Sequence, residues 1–84
     1  MTRIPRHGTP LTQRERQVLA GLTRGIGGAG IGRELGITHD TVKTHTVRIY
    51  AKLGARDAAH AVAIGYRRRI LVLEPFVTPD RSGK

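Results

Sequence analysis

Residues 38–54 constrain this chain more than any other stretch, because they spell a helix with both ends marked and two unlike faces. Thr38 offers a hydroxyl to cap the N-terminus, and Asp40 stands in the first turn, where the helix dipole favours negative charge. Gly54 follows the last apolar residue and supplies a left-handed stop. At about 100° per residue, Val42, Thr46, Ile49 and Leu53 gather on one side, with His45 at its edge. Lys43, Thr44, Val47, Arg48 and Ala51 fall on the other side, which reads as short-chained, partly basic and free of carboxylates. A helix that buries one side and offers such a surface on the other suits a DNA major groove.

What precedes this helix strengthens that reading. Thr12 and Glu15 form a capping box that opens an earlier helix, with Leu11 before the cap and Val18, Leu19 and Leu22 as its apolar stripe. Gly25 is expected to end it. Gly25, Gly27 and Gly30 then match G-x-G-x-x-G, but a dinucleotide loop needs a preceding strand, and here a capped helix stands in its place. The better reading is a short second helix over about 28–35, with Gly27 at its cap, Ile31 and Leu35 inward, and Gly36 as its stop. The three-residue turn Gly36-Ile37-Thr38 then joins two helices, as in a helix-turn-helix. The glycines at 28, 30 and 32 each cost about 1 kcal/mol of helix propensity, so this element is expected to be the weakest, and Gly30→Ala to strengthen it.

A fourth helix is expected from about Ala58 to Arg69, capped by Asp57. Ala58, Ala61, Val62 and Gly65 line one face, and Ala59, Ala63, Tyr66 and Ile70 an adjacent one. That arc is wider than one core contact needs, which leaves a second surface to bury. The chain therefore divides into a flexible basic arm (1–10), a compact all-α domain of four helices (11–70) and a C-terminal tail (71–84). Leu71, Leu73, Phe76 and Val77 give the tail an apolar part that can pack on the domain or on a partner.

Lys and Arg number 15 against 6 Asp and Glu, a formal net charge of +9, so the expected partner is anionic, nucleic acid before any other. The few aromatics argue against a binder that stacks single-stranded bases. The chain has no cysteine, and His7, His39, His45 and His60 lack metal-ligand spacing. The carboxylates are scattered, with no catalytic constellation. No enzyme activity, metal or cofactor is expected. No apolar run is long enough to span a bilayer, and a cytoplasmic protein without membrane contact is expected.

Leu11-Thr12-x-Arg14-Glu15-x-x-Val18-Leu19, then Leu35-Gly36-Ile37-Thr38, Thr41-Val42-Lys43-Thr44-His45, Lys52-Leu53-Gly54 and Ala61-Val62 resemble the LuxR-type (GerE-type) helix-turn-helix domain. The resemblance covers about residues 11–70. It implies a third helix in the major groove, with Lys43, Thr44 and Val47 facing bases, and a fourth helix that pairs in a dimer. This chain departs from the family pattern at Gly30-Ile31-Gly32, where Glu-Ile-Ala is usual, and at Ala58, where arginine is common. Most members carry the domain behind a receiver or ligand-binding domain. Ten residues precede it here, so a domain standing alone is expected, with no input switch assigned.

The expected function is sequence-specific binding of double-stranded DNA by a transcription regulator. Lys43 would contact a base edge or a nearby phosphate, Thr44 and Val47 would make base contacts including thymine methyls, Arg48 and Lys52 would hold phosphates, and Thr41 completes the DNA-binding set. Ala59, Ala63, Tyr66 and Ile70 would form a homodimer on DNA, and the transcription machinery is a further expected partner. The alternative is an interaction module that pairs with a full-length regulator and antagonises it.

Overall fold

The computed structural model describes residues 5–72, and its helices start and stop where local chemistry dictates. Residues 1–4 and 73–84, including Leu73, Phe76 and Val77 of the tail, lie outside the described residues. Four helices follow in order: α1 (Gln13–Leu22), α2 (Gly27–Leu35), α3 (His39–Leu53) and α4 (Ala58–Arg67). No strand occurs among the described residues.

The capping box of α1 is complete. The Glu15 amide donates to Thr12 Oγ1 at 3.1 Å, and the Thr12 amide donates to Glu15 Oε1 at 2.9 Å. α1 ends at Leu22 with Thr23 as its C-cap, so Arg24 and the left-handed Gly25 lie beyond it rather than in its last turn. Thr38 caps α3 by accepting from the Thr41 amide, and Gly36 and Gly54, at φ 71° and 68°, stop α2 and α3 in the left-handed region. Asp57 caps α4 by accepting from the His60 amide at 2.8 Å. α2 begins one residue earlier than expected: Ile26, not Gly27, holds the cap position, and it makes no side-chain cap bond.

α3 packs against all three other helices, while α2 and α4 do not touch each other. The core is Leu11, Val18, Leu19, Ile31, Val42, Ile49, Leu53, Ala61, Ile64 and Leu71. One of these corrects the sequence reading. Ile64 belongs to neither face expected of the fourth helix, yet it is buried beside Ala61 and Gly65. Leu71, the first apolar residue of the tail, packs on the domain and closes the core. α4 ends two residues early, the chain turns through Arg69 at φ 61°, and the Ile70 and Leu71 amides both donate to the Gly65 carbonyl. That turn seats Leu71 against Gly65, where even a Cβ would lie 2.8 Å from its Cδ1.

The arm is a second correction. The Gly8 amide donates to the Lys52 carbonyl at 2.7 Å, and Lys52 Nζ donates to the Pro10 carbonyl at 3.1 Å. Residues 8–10 are thus tied to the C-terminal end of α3, because the last turn of a helix leaves carbonyls in need of donors.

Two different neighbours crowd the glycines that stand where Glu and Ala are usual on α2. A Cβ on Gly32 would stand 2.6 Å from the Ile37 carbonyl oxygen of the turn, whose amide donates to the Gly32 carbonyl at 2.9 Å. A Cβ on Gly30 would stand 2.9 Å from Ile26 Cβ, at the start of α2. The gain expected of Gly30→Ala is thus opposed by the crowding at Ile26.

Candidate nucleic-acid interface

The outward side of α3 is set by what the inward side buries. Val42, Ile49 and Leu53 are fixed in the core, so the residues half a turn away must face solvent. Thr41, Lys43, Thr44 and Val47 are all exposed, Val47 by 55%. A branched apolar side chain held that far into water on a rigid helix gains nothing in the isolated domain. Arg48 lies half-buried at the border of this surface, with its Nε enclosed and unpaired among the described residues. His45, expected at the core edge, is also half-buried, and its Nδ1 is likewise unpaired among the described residues.

The hydroxyls on this surface are partly committed. Thr44 Oγ1 donates to the Asp40 carbonyl at 3.1 Å, and the Thr41 and Thr38 hydroxyls are hydrogen-bonded to each other at 2.9 Å, while Thr46, on the inward side, donates to the Lys43 carbonyl at 2.7 Å. Asp40 also corrects the expectation that the surface lacks a carboxylate. It is exposed, and at about 100° per residue it falls between Lys43 and Thr44 on the same stripe.

Lys52 is not part of this surface. It follows Lys43 by nine residues, which is about 180° around the helix. It is only 6% exposed, and its ammonium donates to Glu15 Oε1 at 2.6 Å. Glu15 itself is 1% exposed. Burial alone would push this carboxyl up. The hydrogen bond from Lys52, the Thr12 amide, the Lys52 charge and the nearby His45 outweigh burial and hold it below the usual glutamate value. An ammonium so enclosed cannot reach a phosphate, and the expected phosphate role of Lys52 is corrected to a structural one. The pairing was hidden because Glu15 already had a local role in the capping box. The half-turn from Lys43 was the signal that Lys52 faces inward.

Other cations remain at the surface. Arg6, Arg14, Arg33, Arg56, Arg67, Arg68 and Arg69 are exposed. Arg24 is paired with Glu34, an exposed pair worth little to stability.

α4 leaves part of its apolar arc outside the core. Ala59, Ala63 and Tyr66 are exposed, whereas Ile70 is half-buried and packs on the core from outside. The strip that another helix could meet is therefore narrower than the sequence suggested.

A helix-turn-helix whose second helix buries one side and presents Lys43, Thr44 and Val47 on the other has a match among known families. The family described as bacterial regulatory proteins, luxR family, matches residues 9–64. The chain belongs to the luxR family. Its four helices are the luxR-type DNA-binding domain, and members of this family act as DNA-binding transcription regulators. A probable transcriptional regulatory protein NarL of Mycobacterium tuberculosis is 46% identical over 61 residues, 73% of this chain and 28% of that protein. The transcriptional regulatory protein YdfI of Bacillus subtilis is 36% identical over 69 residues, 82% of this chain and 32% of that protein. Among solved structures, the response regulator ChrA of a heme-sensing two-component system matches with a TM-score of 0.72 at 34% identity, over 80% of this chain and 32% of that one. This luxR-family chain thus spans about a third or less of the length of these relatives. No described helix is long and apolar enough to cross a membrane.

Proposed function

We propose that this domain binds specific duplex DNA by laying the outward face of α3 in the major groove, as part of a transcription regulator. One observation carries the reading. Val47 is 55% exposed beside Lys43 and Thr44, on a helix whose other side anchors the whole core. Lys43 reaches a base edge or a nearby phosphate, and Thr44 and Val47 touch bases. Thr41 and Arg48 flank them, and the exposed arginines draw the domain to the backbone. We further propose that two copies meet through α4, at Ala59, Ala63 and Tyr66 with Ile70 at the rim. Small side chains let helices approach, but the contact is small, so pairing is weak in solution and completed on DNA.

The test is selection of random duplex DNA by the purified protein, followed by sequencing. The reading expects a pseudo-palindrome, because a two-fold dimer presents α3 twice. A single unrepeated half-site would remove the dimer and keep the rest. The absence of any consensus would overturn specific recognition. It would leave the alternative of a module that pairs with a full-length regulator.

A further inference from the structure

The groups on the outward face of α3 that remain free to bond define which base features it can read. We propose that Val47, with the methyl of Thr44, reads thymine through its C5-methyl group. This rests on the placement of α3 in the major groove proposed above. From the N-terminal end, the stripe offers the Asp40 carboxylate, the Lys43 ammonium, Thr44, Val47 and then the half-buried Ala51. Lys43 is the one ammonium on this stripe, suited to guanine O6 and N7, and Asp40 can only accept. The Thr44 hydroxyl spends its proton on the Asp40 carbonyl at 3.1 Å, so it has no proton to give a base. That bond leaves Thr44 an acceptor oxygen and a methyl. Beyond Thr44, the middle of the stripe consists of the methyls of Val47 and Ala51, with the half-buried Arg48 at its border, where the guanidinium is placed for the DNA backbone. No Asn or Gln stands there to form the bidentate bond that adenine favours. In the major groove, the base feature that meets an apolar surface is the thymine methyl. Burying Val47 against it removes from water the apolar side chain that the free domain leaves 55% exposed.

The experiment starts from the selected duplex and replaces each thymine in turn with deoxyuridine, which keeps the pairing and removes only the methyl. Affinity of the full chain is expected to fall about three- to fivefold at one or two adjacent positions, the value of one buried methyl. In Val47→Ala the same replacements should matter less at those positions, since the partner methyls are gone. Val47 has no core contact, so this variant should melt as the parent does. Thr44→Ser should lose affinity because it lacks the methyl, and Thr44→Val, which keeps a methyl while giving up the hydroxyl, should keep the parent's loss on deoxyuridine replacement. Restoring the methyl as 5-methylcytosine opposite guanine tests whether the methyl suffices without thymine: partial recovery over unmethylated cytosine supports methyl reading. Equal binding of every deoxyuridine duplex would overturn the proposal, as would undiminished sensitivity in Val47→Ala. Neither result would touch groove binding itself, which fails only if selection yields no site.

Discussion

The ammonium of Lys52 lies 2.6 Å from a carboxylate oxygen of Glu15, and both side chains are withdrawn from solvent. The pair links the first turn of α1 to the last turn of α3, and Lys52 also holds the Pro10 carbonyl. One ion pair thus joins the arm, the capping box and α3.

Breaking that pair from one side should be costly. Lys52→Ala leaves a buried carboxylate without its partner, a loss of about 3–5 kcal/mol. A domain of this size holds roughly 4–12 kcal/mol in total, so the loss is a large share of it and should shift the unfolding midpoint well down. Replacing both partners, with Glu15→Gln and Lys52→Met, keeps an oxygen for the Thr12 amide and removes both charges. Most of the stability should return. Urea unfolding of the three proteins checks this, and a double variant as unstable as Lys52→Ala would contradict it.

The same pair sets an acid limit. The folded-state value of Glu15 lies below its ordinary 4.5, so its contribution is fully present above that value. It is lost as pH falls through the lower folded value, because the unfolded chain takes up the proton first. Stability measured from neutral pH downward should therefore decline below 4.5. The double variant, having no carboxyl at this position, should show a flatter decline over that window.

The α2 glycines should respond unequally to alanine. Gly32→Ala drives a Cβ to 2.6 Å from a backbone oxygen in the helix-turn-helix turn, so it should lower the melting temperature. Gly28→Ala meets only the exposed His39 ring, at 2.5 Å, and that ring can rotate away. It should be neutral or gain up to about 1 kcal/mol from helix propensity. Calorimetric melting of both variants decides the order.

DNA binding should separate Lys43 from Lys52. Lys43→Ala loses no core contact and should cost about 1–3 kcal/mol of specific binding if it touches a base. If it touches a phosphate, the log–log salt slope should shrink by about 0.9. The Glu15→Gln, Lys52→Met protein should retain the parent slope, because Lys52 is turned inward. Titrations at several salt concentrations give both answers.

Ala63→Glu places a charge on the exposed strip of α4. It should reduce cooperative occupancy of a two-half site and leave half-site affinity nearly intact. Full-site binding equal to the parent would remove α4 as the dimer contact.

The four helices, the N-caps of α1, α3 and α4, the glycine stops of α2 and α3 and the three-residue turn are legible in the sequence, as is the outward placement of Lys43, Thr44 and Val47; the start of α2 and the end of α1 are not. Each depends on residues within a turn or two of one another: Thr12 with Glu15, Thr38 with Thr41, Gly36 and Gly54 at the stops, and apolar positions at a helical period. Tertiary structure alone decided the rest. It turned Lys52 from a surface cation into half of a buried pair with a residue 37 positions away, and tied Pro10 to it across 42. It also brought the Ile37 carbonyl against Gly32 and folded Leu71 back into the core. Helical period and capping are written in neighbouring residues, whereas a long charged side chain takes its place according to which distant groups the packing of α1 against α3 delivers to it.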